Sequence, residues 1–146
     1  MRFRGTFQHT IDAKGRLSVP NRFRDVLKAN EDSRLVVTRG TGACLSVYPM
    51  DRWLKVEEDL DNLPAGQARD DFIRHFISPA QDVSLDKMGR MLIPVTLREE
   101  AGLDKDVVIV GAVSKFEIWD RERYARYMEE SRDQALELLK THDVRF

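Results

Sequence analysis

Arg16 stands four residues after Asp12, with Lys14 and Gly15 between them, and Asp86, Gly89 and Arg90 repeat that spacing with Lys87 one place earlier than Lys14. A guanidinium is a planar fork of donors that fits a phosphate or the O6/N7 edge of guanine, whereas an ammonium acts as a point charge. An aspartate four residues away can hold that fork in a fixed orientation through a charge-assisted bond. Asp12, Lys14 and Arg16 therefore offer recognition of a phosphate or a base edge. The alternative is a local ion pair that only closes a turn, worth under about 1 kcal/mol at a surface. On the residues alone, both readings stand.

Other chemistries find less support. Asp12 and Asp86 are paired carboxylates from duplicated halves, the arrangement in which aspartic proteases share one proton. Here Ala13 and Lys87 follow the two aspartates where those enzymes carry Ser or Thr and then Gly. Lys14, Arg16, Lys87 and Arg90 would also keep both carboxylates ionised, so no enzyme is expected. His9, His75 and His142 have no Cys, Asp or Glu partners at ligand spacing. No metal, cofactor or small-molecule ligand is expected. Cys44 reads as a small core hydrophobe. As the only cysteine it excludes an intrachain disulfide and fits a reducing cytoplasm.

The charge is segregated. Residues 1–28 carry seven basic side chains against two acidic ones, a net +5. The whole chain of 146 residues is at −1, so the other 118 residues sum to −6. A binding face follows local charge and only solubility follows the total. Arg2, Arg4, Arg22 and Arg24 widen the basic zone around the first motif. Apolar residues at 42% are enough for a core, no run approaches the roughly 18 needed for a membrane span, and Met1–Phe7 alternates instead of forming the apolar stretch of a signal peptide.

The elements that position these groups occur twice. Asp12 to Arg24 aligns with Asp86 to Arg98 at an offset of 74, keeping Asp, Gly, Arg, Pro and the final Arg. Leu17/Met91, Val19/Ile93 and Phe23/Leu97 keep apolar character. Leu45–Tyr48 matches Phe116–Trp119 at an offset of 71, which predicts three extra residues in the first copy, at the Asn30–Ser33 turn. In each copy an alternating strand leads into a D-x-x-G-R hairpin turn, with Gly15 or Gly89 free to take positive φ. A short strand follows, and Pro20 or Pro94 ends it and opens a helix. A second hairpin closes the unit. A lone unit of about 45 residues buries too little surface to be secure, so the halves are expected to complete each other's sheet around a pseudo-twofold.

Between the copies, Asp51 reads as an N-cap before Trp53, Val56, Leu60 and Leu63 at helical spacing, and Pro64 restarts a helix carrying Phe72, Ile73, Phe76 and Ile77. A last helix runs from Asp120 with Tyr124, Tyr127, Met128 and Ala135 inward. Arg24 and Arg98, the matched final arginines, are expected to bond a neighbouring carboxylate. The expected limits are residues 3–53 and 80–124 for the repeats, 54–79 for a helical linker and 125–146 for a C-terminal helix and tail.

Phe3-Arg4-Gly5, the Asp12–Pro20 run, Leu45–Pro49, the second Asp86…Pro94…Arg98 run and Lys115–Asp120 together closely resemble the MraZ family. These are bacterial transcriptional regulators encoded at the head of the division and cell-wall gene cluster, within the SpoVT/AbrB-like superfamily. The resemblance covers nearly the whole chain and weakens after Leu139. It implies an α+β fold of tandem duplicated swapped-hairpin (AbrB-like) β-barrel units forming an intrachain pseudo-dimer, with helices between and after the repeats. It also implies a ring-shaped homo-oligomer, associated with the nucleoid, that meets repeated sites in double-stranded promoter DNA. Lys14, Arg16, Arg4, Lys87 and Arg90 are then the DNA-binding residues, with Asp12, Gly15, Asp86 and Gly89 orienting the loops. Met88 stands where the second loop would carry its lysine, which leaves open whether the halves contribute equally. The runner-up function is a ring-forming scaffold whose basic face binds an acidic protein; preference among DNA sequences separates the two.

Overall fold

Proline punctuates both halves of the chain in the same way. Pro20 and Pro94 lack the N–H that a strand ladder needs, and each stands one place before a helix, with φ −53° and −57°. Their carbonyls accept the first helical bonds, from Phe23 and Arg24 in one half and from Arg98 in the other. In this computed structural model, which describes residues 2–29 and 33–146, that punctuation lies within a regular order of elements. The first half runs β1 (Thr6–Thr10), β2 (Arg16–Ser18), α1 (Asn21–Lys28), β3 (Leu35–Arg39) and β4 (Leu45–Pro49). Then come α2 (Met50–Asp61) and α3 (Gln67–Phe72), which continues into a π-helical turn, Ile73–Ile77. The second half repeats the order as β5 (Gln81–Val83), β6 (Arg90–Leu92), α4 (Val95–Glu100), β7 (Asp106–Gly111) and β8 (Phe116–Asp120), and α5 (Arg121–Thr141) ends the chain. Of the Asn30–Ser33 turn expected to hold the three extra residues of the first copy, residues 30–32 lie outside the described residues.

The halves are interleaved. One antiparallel sheet has the order β1-β7-β8-β4-β3-β5, and a second consists of β2 and β6 alone. The strand before each D-x-x-G-R turn therefore pairs with the other half: β1 with β7, and β5 with β3. The turns are tight, but the strands they join do not pair with each other. This differs from the simple hairpin expected at each motif. In both sheets the central pair sets a residue opposite its own counterpart: Leu17 faces Met91 between β2 and β6, and Ser46 faces Glu117 between β4 and β8. A local twofold axis produces that register.

The core lies between the two-stranded ribbon and the large sheet. Leu17, Val19, Phe23 and Leu27 meet Met91, Ile93, Leu97 and Ala101, all buried. Phe23 adds an aromatic cluster, with ring centroids 5.2 Å from each of Phe3, Phe7 and Phe116. Full burial of side chains this size contributes about 1.5–3 kcal/mol each.

The helices outside this core differ from expectation in four respects. Asp51 lies inside the first turn of α2, and Pro49 precedes it at the N-cap, because the strand–proline–helix join used twice elsewhere is used here as well. The second helix starts at Gln67, after Gly66, instead of at Pro64. Asp120 does cap α5, accepting a bond from the Arg123 N–H at 3.0 Å. Tyr124 and Tyr127 stack on Trp119 at 5.4 and 5.0 Å, but Tyr127, Met128 and Ala135 are exposed, because the helix contacts β7 and β8 and then runs past the sheet. Phe72, one of the apolar residues carried by the second helix, is not covered by this chain: it is 39% exposed beside Phe76. Among the described residues, no helix is long and apolar enough to cross a membrane.

Candidate nucleic-acid interface

Each motif turn is built around one aspartate. The Asp12 side chain accepts the N–H groups of Lys14 and Arg16 on one oxygen, both at 2.9 Å, and the Arg16 Nε–H on the other at 2.7 Å. Asp86 repeats this with Met88 N–H, Arg90 N–H and Arg90 Nε–H, all at 2.9 Å. The backbone closes both turns identically. Asp12 and Asp86 donate to the Arg16 and Arg90 carbonyls, and Gly15 and Gly89 donate to the Asp12 and Asp86 carbonyls. Gly15 at φ +81° and Gly89 at φ +76° occupy the left-handed region that a side chain disfavours.

This bonding fixes the charge state. The Arg16 N–H above all, with its guanidinium and the Lys14 N–H, holds the Asp12 carboxyl down at about 2. The Arg90 N–H and guanidinium push Asp86 in the same direction. Each carboxylate is occupied by its own arginine, the opposite of two acids sharing a proton. The aspartates take the Nε–H of Arg16 and Arg90, and both arginine side chains are partly exposed.

The two turns flank a single ribbon. Ile93 donates to the Gly15 carbonyl and Val19 to the Gly89 carbonyl, both at 3.0 Å, so each turn is tied to the other half's strand. The matched arginines lock the arrangement from behind. A Cβ on Gly89 would collide with the Arg24 guanidinium, and one on Gly15 would stand 3.1 Å from Arg98 Nη1. Among the described residues, neither arginine bonds a carboxylate as expected. Arg24 donates to the Asn21 side chain, Arg98 donates to the Leu103 carbonyl at 3.4 Å, and Arg24 Nε is buried without a partner. The reason is steric, since both guanidiniums lie against the turn of the opposite half.

The predicted residues therefore divide. Lys14, Arg16, Lys87 and Arg90 sit on or beside the two turns, held by Asp12, Gly15, Asp86 and Gly89. Arg4 does not join them. It lies beyond the start of β1, next to the Phe3–Val113 bridge, while the first turn lies beyond the other end of that strand. Arg22 lies against Gly5 at that same remote end. Sequence reasoning missed Ser18 and Leu92, which share the ribbon's outward face with the arginines. Leu17 and Met91 point inward, and strict alternation on either side of them carries that signal.

Two single residues away from the turns have shifted titration. His9 is half-buried in β1, and burial lowers its pKa. Cys44 is buried, and burial first, then the negative charge of Glu117, pushes its thiol up to about 12. Among the described residues, no group of three or more His, Cys, Asp or Glu is placed to hold a metal.

The sequence model of the family described as "MraZ protein, putative antitoxin-like" matches residues 2–73 and again 76–145. A protein of Lachnoclostridium phytofermentans named Transcriptional regulator MraZ is 42% identical over 144 residues, covering 99% of both chains. Proteins of the same name from Moorella thermoacetica and Desulfitobacterium hafniense are 46% and 48% identical over 133 residues, covering 90% of both chains in each case. With two family matches that between them span almost its full length, the chain belongs to the MraZ family.

Proposed function

We propose that this protein is a sequence-specific DNA-binding transcriptional regulator. The observation that carries this reading is the pair of aspartate-anchored arginine turns flanking one two-stranded ribbon. Such a ribbon fits the major groove of duplex DNA, where an arginine fork can take guanine O6 and N7. Anchoring through Nε leaves the terminal nitrogens for that contact and fixes their direction before binding, which lowers the ordering cost. The name Transcriptional regulator carried by the relatives supports the same reading.

In this proposal the halves, at about residues 3–53 and 80–124, are swapped-hairpin AbrB-like units. The linker at 54–79 and the C-terminal segment at 125–146 serve assembly into a ring. Exposed Leu63 and Phe72 on the linker, and exposed Tyr127, Met128, Leu138 and Leu139 along α5, give such an assembly apolar surface to bury. Each subunit brings a weak contact, and the ring converts repeated promoter sites into avidity through effective concentration. Lys14 and Arg16 are the main DNA contacts, with Lys87 and Arg90 beside them. Arg4 serves DNA only where the duplex extends past the ribbon.

The test is fluorescence anisotropy on a duplex from upstream of the division and cell-wall gene cluster, competed by a scrambled duplex at near-physiological salt. A preference of about 10³ or more for the native duplex supports a specific regulator. Equal binding to both duplexes leaves a basic surface with general affinity, and no binding favours an acidic protein partner instead.

A further inference from the structure

The outward face of the ribbon is chemically lopsided. Arg16 pairs with Leu92, and Ser18 pairs with Arg90. The bonds from Ile93 to Gly15 and from Val19 to Gly89 mark those two positions as hydrogen-bonded pairs, so by antiparallel alternation Arg16/Leu92 is a non-bonded pair. In such a pair the two Cβ atoms lie about 5 Å apart. Leu92 also leans over the first turn, its Cδ1 standing 3.7 Å from where a Cβ on Gly15 would be.

Leu92 is 58% exposed, and Val95 and Met88 are 66% and 68% exposed. At the matched positions the first half carries Ser18, Asn21 and Lys14. Val95 opens α4 two residues after Ile93, the residue bonded to the first turn. A lone exposed leucine calls for no explanation. Here the apolar Leu92 stands directly across the ribbon from Arg16, where the polar Ser18 stands across from Arg90. The surroundings, Lys14, Arg16, Lys87 and Arg90, are cationic, so the matching occupant is polyanionic and also presents apolar groups. Duplex DNA has both in its major groove, as phosphates and as the C5-methyl group of thymine.

We propose that Leu92 and Val95 form an apolar shelf that packs on a thymine methyl next to the base contacted by Arg16. The proposal rests on the DNA-binding reading above. Leu92 belongs to the second half and Arg16 to the first, so one recognition unit is assembled from both repeats. The second repeat thus contributes apolar contact where the first contributes charge. Around the turn of the second half, Arg90 faces Ser18, which has no such shelf.

The test uses duplexes in which each thymidine of the bound site is replaced in turn by deoxyuridine, which lacks only the methyl. Wild-type protein, Leu92→Ser and Leu92→Ser/Val95→Asn are compared by anisotropy, with oligomeric mass and helical content checked for each. Both positions are solvent-exposed, so the variants should fold. For wild type, deoxyuridine at a specific thymine should weaken binding about fourfold, as expected for one buried methyl. For the variants, the thymidine and deoxyuridine duplexes should bind equally, and the salt dependence should match wild type. Tolerance of deoxyuridine at every position by a wild type that prefers its site overturns the proposal. So does a penalty that persists in both variants, or a variant whose oligomeric mass changes while the penalty remains, which would make the patch an interface between copies. A wild type with no sequence preference is a separate outcome, visible before any deoxyuridine is introduced, and it overturns both the proposal and the function beneath it.

Discussion

Leu17 and Met91 face each other at the centre of the β2–β6 ribbon, each fully buried, and each is the other's counterpart in the duplicated sequence. Around that contact, Arg16 and Arg90 fall on the outward face, one on each side of the local axis. The pair is thus the core-side anchor of the surface that carries both arginines. Their spacing is set by two strands three residues long, not by loop flexibility.

Replacing Arg16 by Ala should weaken promoter binding about 10- to 100-fold, the range for losing a bidentate arginine–base contact. Folding and oligomeric mass should not change, since the side chain is partly exposed and stabilises only its own turn. Arg16→Lys should not restore binding, because an ammonium lacks the fork. Anisotropy beside thermal melting tests this, and a fully active Arg16→Lys would show that only charge matters.

Lys14→Ala should behave differently. As a point charge on an exposed turn, it should lower affinity about equally for native and scrambled duplexes. The slope of log affinity against log salt should fall by about 0.9 for one lost phosphate contact. A loss confined to the native duplex would instead assign Lys14 to base reading.

The acid limit of the turns follows from Asp12. Its carboxyl is depressed from an ordinary 3.8 to about 2, so its contribution to stability is complete above pH about 4 and fades as pH falls towards 2. Carboxyl NMR titration should place the Asp12 midpoint near 2 and that of Asp86 also below the ordinary value. In Arg16→Ala the Asp12 midpoint should rise but stay below 3.8, because the two backbone N–H bonds remain. A return to 3.8 would show that the guanidinium alone had set it.

Gly89→Ala should destabilise more than Gly15→Ala. Both place a side chain at positive φ, costing about 1 kcal/mol. At Gly89 the new methyl also meets the Arg24 guanidinium, whereas at Gly15 it stands 3.1 Å from the end of Arg98. The melting temperatures of the two variants decide the order, and Gly89→Ala/Arg24→Ala should recover part of the loss.

Phe23→Ala should cost about 3–5 kcal/mol, as for a large aromatic removed from a packed core. The matched Leu97→Ala should cost about 2–5 kcal/mol, less than Phe23→Ala because the smaller side chain gives up less buried volume. Denaturant unfolding of both variants tests the ranking.

Much of this architecture is legible in the residues. Asp12/Asp86, Gly15/Gly89, Arg16/Arg90 and Pro20/Pro94 keep one spacing because each has a job that tolerates no slip: turn acceptor, left-handed backbone, outward fork and strand end. The partner choice of β1 and β5 is harder to read, since alternation shows which face of a strand is buried but not which strand lies beside it. Arg24 and Arg98 stand out in the sequence as a pair, yet their targets, the turns of the opposite half, exist only once the halves interleave. The solvent-exposed run of α5 is illegible for a related reason. An apolar stripe on a helix shows that something can cover it, not that this same chain does. Leu92 lay within reach of simple alternation, although an apolar residue among apolar neighbours gives little reason to look outward.

The exchange of strands between the halves also orders events in time. As the chain leaves the ribosome, residues 1–53 emerge without the partners of β1 and β2, which are β7 and β6. The ribbon cannot close until Leu92 is available, and β1 has no neighbour until Asp106–Gly111 follows. The nascent first half thus spends most of its synthesis with Leu17, Phe23 and two strand edges uncovered, a state open to pairing with another chain. A stop codon or stall before about residue 111 should therefore leave an aggregation-prone fragment instead of a folded half-protein, because the ribbon and the large sheet both need strands from the second repeat.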